Sequence, residues 1–312
     1  LGWIVPNHAL RRTAYEVAAS TPGVRIIASA TVTRVAIAAD HAELTYTQAG
    51  GADASAQCPR APLLVAADSR FSATRRPIGI GASMRDFGRT VIVCRLRHEL
   101  PHGEVAHECF DYARTLAILP LPDDPDSGAH QCSAVVTAGA EQAQALLALS
   151  PEEYAASVQR QFGHRLGRMH LVGERHAYSL VAVYAQRFAD ARCALVGDAA
   201  VGMHPVTAHG YNLGLAAVDR LARVLEGARA HGADLGEAAL LRRYASAHHR
   251  HAWPLYQGTN AIVGLYTDER PLPRLLRQAV LAGSRRLPPL QALIVSQLTW
   301  RRPAWPRAAS SP

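Results

Sequence analysis

Residues 195–212 read LVGDAAVGMHPVTAHGYN, which predicts an apolar strand, a tight acidic turn, a loop and the start of a helix. Gly197 ends the predicted strand and lets the backbone turn where a side chain would obstruct a ligand. Asp198 then lies at the carboxyl end of the strand, where α/β sheets place ligand-binding groups. The helix predicted after Gly210 directs its free N–H groups toward this turn. The helix start therefore favours a ligand group that carries negative charge.

The same stretch resembles the second FAD-binding motif of the single-component flavoprotein aromatic hydroxylases, G-D-A-A-H-x-x-x-P-x-x-G-x-G-x-N. It is most similar to the branch that hydroxylates the ring of ubiquinone precursors. Val201 stands where the family usually has His, and Ala208 where it has the first Gly of a pair. We interpret this variant as typical of a subgroup of the quinone-ring hydroxylases. The matching residues are Gly197, Asp198, Ala199, Ala200, Pro205, Gly210 and Asn212.

A second motif lies upstream, where residues 62–75 read PLLVAADSRFSATR and resemble the family's A-D-G-x-x-S-x-x-R. Asp68, Ser72 and Arg75 match this motif, whereas Ser69 replaces its Gly. In the family this motif runs beside the pyrophosphate of FAD and is linked to the use of a nicotinamide cofactor. Either motif alone could be an ordinary turn at a strand end. Two motifs in order, about 130 residues apart and each after an apolar strand, favour the family.

The family opens with a strand, a G-x-G-x-x-G loop and a helix that hold the pyrophosphate, and this sequence contains no such glycine run. Residues 1–12, LGWIVPNHALRR, instead resemble a segment inside the family's cofactor domain. We therefore expect an N-terminally incomplete family member that lacks the first βαβ unit. In this register Asn7 matches a polar residue that contacts the flavin. The alternative is that Asn7 caps a helix over residues 9–18.

Apolar runs bounded by Pro, Gly and Asp predict a series of short strands. Ser150 is predicted to cap a helix that Pro151 opens. The predicted strands cover residues 24–28, 31–38, 43–47, 62–66, 91–96, 109–112, 116–119, 133–137, 178–184 and 192–196.

The resemblance implies an α/β fold with an α+β substrate sheet. Residues 1–84 and 187–230 are expected to form an FAD-binding, Rossmann-like domain without its first βαβ unit. Residues 85–186 are expected to form an inserted, mixed β-sheet that binds the substrate. Residues 231–312 are expected to be a C-terminal helical region with a basic tail.

The composition is that of a globular protein, since 312 residues with 49% hydrophobic content can bury one large core or two joined ones. No apolar run approaches the roughly 18 residues that span a bilayer, and the sequence has no signal-peptide pattern. We expect a cytoplasmic protein. Five widely spaced cysteines without a C-x-x-C pair predict reduced structural thiols. The cluster at residues 248–251 (HHRH) has no nearby carboxylate, so no metal site is predicted.

Positive charge is concentrated at the C-terminus, because no acidic residue follows Glu269 and the eight arginines there equal the net charge of +8. Apolar residues at helical spacing lie between them, which predicts a basic amphipathic helix. Such a helix can bind an anionic membrane surface, pack on its own protein as a helical cap with solvated arginines, or bind an acidic protein. Nucleic acid is not an expected partner, since no recognition motif accompanies the charge. The arginines are Arg270, Arg274, Arg277, Arg285, Arg286, Arg301, Arg302 and Arg307.

The resemblance implies an FAD-dependent monooxygenase that uses NAD(P)H and O2 to hydroxylate the aromatic ring of a ubiquinone precursor, such as a demethoxyubiquinol. The cofactor carries out the oxygen chemistry, while the protein positions the ring and excludes water. The expected partners are a polyprenylated aromatic or quinol substrate, a protein complex of ubiquinone biosynthesis, and the inner face of the membrane. Two alternatives are a related flavoprotein reductase acting on isoprenoid double bonds and an inactive, truncated relic.

The resemblance also implies roles for individual residues. Asp198 would hold the ribityl chain, Pro205 would line the flavin ring, and residues 210–212 would face its N1–C2=O edge. No catalytic acid or base is assigned, because His204 and His209 beside a cofactor loop are more often structural. The predicted cofactor-binding residues are Asn7, Asp68, Arg75, Gly197, Asp198, Pro205, Gly210, Tyr211 and Asn212.

Overall fold

The structure is a computed structural model that describes residues 3–49, 56–110, 114–205 and 208–267. The basic helix predicted after Glu269 lies outside these residues. Among the helices within them, none is both long and apolar enough to cross a membrane. The described helices are α1 (Asn7–Ser20), α2 (Ala140–Ala148), α3 (Pro151–Gln161), α4 (Gly210–Ala230) and α5 (Ala238–Thr267).

Twelve described strands form three sheets. They are β1 (Ala30–Ile37), β2 (Ala42–Gln48), β3 (Arg60–Ala61), β4 (Leu64–Ala66), β5 (Ala82–His98), β6 (His107–Cys109), β7 (Arg114–Leu121), β8 (His130–Gly139), β9 (Met169–Ala185), β10 (Ala189–Asp190), β11 (Cys193–Leu195) and β12 (Val201–Gly202). Their orders are β1-β2-β3, β10-β11-β4 and β12-β9-β5-β8-β7-β6.

The smaller sheet with β4 and β11 positions both sequence motifs. These two strands are parallel, with Leu64 opposite Cys193 and Ala66 opposite Leu195. Because parallel strands end at the same edge of a sheet, the turn after each strand lies beside the other. On the other side of β4, no strand pairs with it among the described residues, and Val65 is 42% exposed.

Helices α4 and α5 cover the sheet that contains β11 and share one apolar core with it. Tyr244 of α5 is fully buried, and its hydroxyl donates a hydrogen bond of 2.6 Å to the carbonyl of Leu195. This bond fixes α5 against the strand that precedes the Gly197 turn. The core members from these elements include Leu195, Leu213, Ala217, Leu221, Leu241, Tyr244 and Ala252.

The six-stranded sheet has two different faces because side chains alternate along each strand. One face packs on α2 and α3 and holds the second core, which includes Ile92, Leu116, Ile118, Cys132, Ala134, Val136, Tyr154 and Phe162. Ser150 caps α3 as predicted, and Glu153 completes the capping box: its N–H donates to the Ser150 hydroxyl at 3.1 Å.

Several sequence expectations need correction. The six-stranded sheet was expected to be mixed, but its neighbouring strands are antiparallel in every described pairing. Antiparallel strands such as β7 and β8 can be joined directly, without a crossover helix. Residues 24–28 form no strand, since no strand of the described part of the chain pairs with them. Helix α2 was not predicted. The strand predicted over 109–112 is seen as β6, which ends at Cys109, and residues 111–113 lie outside the described residues.

Asn7 is not an N-cap. Helix α1 begins at Asn7 itself, and Pro6 occupies the N-cap position without a side-chain hydrogen bond. The helix starts earlier than predicted because proline fixes a backbone angle suited to a chain that enters a helix. No residue of α1 is buried among the described residues.

Candidate active site

An ion pair between Arg70 and Asp198 joins the two motif turns. Arg70, which follows the first motif's Asp68, lies 2.7 Å from a carboxylate oxygen of Asp198 through its Nη2. Its Nη1 donates a hydrogen bond of 2.8 Å to the carbonyl of Val181 in β9. The sequence reasoning did not identify Arg70, although its position inside the first motif could have indicated it. Arg70 holds the Asp198 carboxylate beside the six-stranded sheet.

Arg75 forms a second link between the motifs, from a buried position that is 2% exposed. Its Nη1 donates to the carbonyl of Ala199 at 2.7 Å, and its Nη2 donates to the carbonyl of Arg70 at 3.1 Å. Ser72 accepts the backbone N–H of Arg75 at 2.9 Å and donates its own hydroxyl hydrogen to Asp68. Arg75 therefore fixes the position of the turn that carries Asp198.

Asp68 is an acceptor in this network and is ionised at neutral pH. Burial acts to raise its pKa, but hydrogen bonds from Ser72 and from the N–H of Thr74 (2.9 Å) outweigh burial, so the pKa lies below 3.8. Neither Asp68 nor Arg75 lines the cavity described below. Their predicted contact with the cofactor's pyrophosphate stays a prediction, and the described structure gives them a bracing role.

Three residues in the two motifs have a left-handed backbone. Gly197 has φ +58°, Ser69 has φ +77° and Ala208 has φ +51°. Ser69 and Ala208 are the two positions where another residue replaces a Gly of the family motifs. A residue with a Cβ adopts this conformation at a cost of about 1 kcal/mol or more. Both positions therefore have a backbone conformation that glycine adopts more easily than serine or alanine.

The first turn of α4 faces the Gly197 turn. A Cβ at Gly214 would lie 3.4 Å from the Cα of Gly197, so helix and turn pack closely. The first N–H groups of a helix have no acceptor within the helix, which makes this end of α4 suited to an anionic group. The adjacent His209 has a buried Nδ1 without a hydrogen-bond partner among the described residues. The His209 nitrogen is enclosed by protein and does not line the cavity, so the backbone N–H groups at the start of α4 are the polar atoms available to a ligand.

A cavity of about 660 Å³ separates the motif loops from the free face of the six-stranded sheet. This volume lies within the range of about 300–1,000 Å³ that is usual for small-molecule sites. On the motif side it is lined by Asn7, Arg70, Asp198, Pro205, Gly210 and Tyr211. On the sheet side the lining includes Thr115, Ala117 and Leu119 of β7, Val135 and Thr137 of β8, and Leu180 of β9.

Five of the nine predicted cofactor-binding residues therefore line one cavity, namely Asn7, Asp198, Pro205, Gly210 and Tyr211. Gly197 forms the turn beside it, and Asp68 and Arg75 brace that turn. Asn212 lies in the first turn of α4 with an exposed side chain. Sequence reasoning missed Glu108 and Phe87, which also line the cavity. No sequence signal places Glu108 in the cavity, because the direction of its side chain depends on the pairing of β6 with β7.

His204 lines the cavity as a neutral imidazole at physiological pH. Burial lowers its pKa from 6.5 to about 4, and the nearby positive charge of Arg89 adds to this effect. Its ring meets the ring of Phe87 edge to face with centroids 5.1 Å apart. His204 therefore supplies a polar but uncharged group beside the motif loop.

The fold and these two linked motif turns define a flavoprotein. A model of the FAD binding domain family matches residues 3–259, and the chain belongs to that family. The resemblance inferred from the two motifs is thereby confirmed. The available polar atoms at the start of α4, the open space beside Gly197 and the cavity all fit FAD as the ligand.

Two of the similar curated proteins are named as ubiquinone hydroxylases. The chain is 44% identical over 299 residues to ubiquinone hydroxylase UbiM of Neisseria meningitidis, covering 96% of this chain and 62% of that protein. It is 35% identical over 295 residues to ubiquinone hydroxylase UbiL of Rhodospirillum rubrum, covering 95% and 66%. The chain thus spans slightly under two thirds of the length of these relatives.

A solved structure supports the fold. The p-nitrophenol 4-monooxygenase PnpA from Pseudomonas putida superposes with a TM-score of 0.73 at 18% identity, covering 96% of this chain and 73% of that one. At this identity the likeness concerns the fold alone. The predicted α/β fold class of FAD-dependent hydroxylases is confirmed.

Proposed function

We propose that this chain belongs to an FAD-dependent monooxygenase that hydroxylates the aromatic ring of a ubiquinone precursor. The observation that carries this proposal is the cavity, which has the two FAD motifs on one side and an apolar sheet face on the other. The names of the relatives UbiM and UbiL point to the same substrate class. NAD(P)H is the proposed reductant.

The chemistry that bound FAD would supply is acceptance of a hydride from NAD(P)H and activation of O2, with one oxygen atom going to the ring and the other to water. The protein has to hold the aromatic ring of the substrate against the ring system of the flavin and keep bulk water out. The sheet face suits this task, because Ala117, Leu119, Val135 and Leu180 offer an apolar wall on rigid strands.

Asp198 is the proposed acceptor for the hydroxyls of the ribityl chain. Its carboxylate is partly buried, and its ion pair with Arg70 orients it toward the cavity. The N–H groups at Gly210 and Tyr211 are the proposed partners of the N1–C2=O edge of the flavin, where reduction places negative charge. Asn7 and Pro205 are proposed to contact the flavin from the cavity wall.

We also propose the domain division expected from the sequence: residues 1–84 and 187–230 bind the cofactor, residues 85–186 bind the substrate, and residues 231–312 form a helical region with a basic tail. The proposed partners are a polyprenylated quinol or phenol, a complex of ubiquinone biosynthesis and an anionic membrane surface. The eight arginines after Glu269 support the membrane partner through their charge.

The proposal is tested with 18O2. We expect the chain supplied with FAD and NAD(P)H to convert a short-chain demethoxyubiquinol into a product that carries one 18O atom on the ring. Oxidation of NAD(P)H with reduction of an isoprenoid double bond and no 18O in the product would replace this function with that of a reductase.

A further inference from the structure

Glu108 is a cavity residue that neither motif explains. It occupies the centre of β6, between His107 and Cys109. The ring centroids of His107 and Phe162 are 5.1 Å apart, and Cys109 packs on the core between the six-stranded sheet and helices α2 and α3. Because successive side chains of a strand point to opposite faces, Glu108 must point away from that core and into the cavity. The cavity lining includes Glu108 accordingly.

The neighbouring strands place Glu108 at the end of a row of small and apolar side chains. Glu108 pairs with Ala117 of β7, which pairs in turn with Val135 of β8. Paired side chains of adjacent strands have Cβ atoms about 5 Å apart, so the methyl group of Ala117 leaves space next to the carboxylate. The next row contains Thr115 opposite Thr137. A flat ring can lie on this face with its edge at Glu108.

The Glu108 carboxylate has no ion pair or hydrogen bond with any residue that the structure describes. The Glu108 side chain is exposed to water within the open cavity, and the protein atoms around it raise its pKa above the usual value of a glutamate. The other carboxylate of the described lining, Asp198, is held by Arg70 at 2.7 Å. A carboxylate without a partner in a largely apolar cavity is stabilised by a ligand that donates a hydrogen bond to it.

We propose that Glu108 recognises a hydroxyl group on the aromatic substrate by accepting a hydrogen bond from the ring O–H. This inference rests on the proposed ring hydroxylation and assigns the residue that selects a substrate with a free ring hydroxyl over its ring ether. A site built around such a hydrogen bond discriminates strongly against the analogue that lacks the O–H. The bond also leaves more electron density on the ring oxygen and hence on the ring carbons ortho and para to it.

The test compares two probes, 2-methoxy-6-prenylphenol and its methyl ether, by calorimetric titration of the FAD-saturated chain. We expect the wild type to bind the phenol at least tenfold more tightly than the ether. Glu108→Leu should bind both probes equally. Glu108→Gln keeps a neutral acceptor of the same shape and should retain a preference of a few fold. Glu104→Gln is the matched control, because Glu104 is exposed in the preceding turn and does not line the cavity.

A pH series adds a result that a purely structural role would not produce. As the pH falls through the pKa of Glu108, its carboxyl becomes protonated and the preference for the phenol should decline. Glu108→Gln should show a preference that does not vary with pH over this range.

The outcomes separate this inference from the proposed function. If Glu108→Leu keeps the tenfold preference while the phenol still gains 18O, Glu108 is not the recognition residue and ring hydroxylation stands. If the wild type fails to bind the phenol, both the inference and the proposed function are wrong. Glu108→Gln provides the isosteric comparison should Glu108→Leu unfold.

Discussion

Asp198 and Arg70 form an ion pair at the wall of the cavity, and the carboxylate retains enough exposure to accept further hydrogen bonds. We predict that Asp198→Ala lowers the affinity for FAD by about ten- to hundredfold, because charge-assisted hydrogen bonds contribute about 1.5–3 kcal/mol. This loss is measured by adding FAD to the protein stepwise and following the protein fluorescence at equilibrium. Asp219→Ala is the matched control. Asp219 also forms an ion pair, with Arg223 one turn further along α4, but it does not line the cavity. Equal affinities of the Asp198 and Asp219 variants would reduce Gly197-Asp198 to an ordinary turn.

Ala208 stands at a left-handed position that suits glycine. We predict that Ala208→Gly raises the free energy of unfolding by about 1 kcal/mol, because the strain of the Cβ exceeds the entropy that glycine adds to the unfolded chain. Urea denaturation measures this change. Ala222→Gly, at an exposed position inside α4, should instead lower stability by about 1 kcal/mol. A loss of stability in both variants would show that Ala208 is not strained.

Helix α5 carries a buried histidine that titrates far below its usual range. His248 is 1% exposed, packs on the rings of Tyr244 and Phe188, and lies 3.5 Å from Arg220. Burial, with Arg220 and the neighbouring His251 and His249 adding to it, lowers the pKa of His248 from 6.5 to about 3. The folded protein therefore resists taking up a proton that the unfolded chain accepts below pH 6.5.

This difference predicts how stability depends on pH. The contribution of neutral His248 is fully present above pH 6.5 and is lost as the pH falls toward 3, by up to about 1.4 kcal/mol per pH unit. Urea denaturation between pH 7 and pH 4 should show this slope, reduced in His248→Gln. The exposed His8→Gln should leave the slope unchanged. An unaltered slope in His248→Gln would assign the acid sensitivity to other groups, among them His204.

At the level of elements, the sequence predicted the features that are local. Ser150 and Pro151 predicted the start of α3, and Gly210 predicted the start of α4, because caps and helix starts depend on a few neighbouring residues. Residues 24–28 have a strand-like composition but no partner among the strands that the structure describes, and pairing decides whether a strand forms. Glu108 could not be placed in the cavity from the sequence, since its orientation depends on the pairing of β6 with β7.

At the level of the molecule, the contact between the two motifs is the feature that spacing alone could not predict. Residues about 130 positions apart become neighbours through the parallel pairing of β4 with β11 and the hydrogen bonds of Arg75. The resemblance of both motifs to one family indicated a shared site, and the Arg70 to Asp198 ion pair gives that site its geometry.

The basic segment after Glu269 supports a prediction about the whole chain. Arginines near an anionic surface contribute about 1 kcal/mol each, screened over a Debye length of roughly 8 Å at physiological salt. We predict that the chain sediments with vesicles that contain anionic lipid, and less so at high ionic strength. Changing Arg274, Arg277, Arg285 and Arg286 to Gln should abolish sedimentation.

The control for this experiment removes the same charge elsewhere. Arg11, Arg25, Arg34 and Arg229 are exposed in the described part of the chain, and their joint change to Gln should leave most of the sedimentation intact. An equal loss of sedimentation in both variants would attribute the binding to net charge. If the wild type does not sediment with the vesicles, the interpretation of the segment as a helical cap with solvated arginines would stand.

We propose that the cavity between the motif turns and the free sheet face holds the flavin ring. A crystal structure of the chain grown at a saturating concentration of FAD would locate the ring. We predict density for the isoalloxazine ring within the cavity, between Pro205 and Gly210 on one side and Thr115 and Val135 on the other. FAD bound elsewhere, or a cavity that stays empty at saturation, would show that the cavity is not the flavin site.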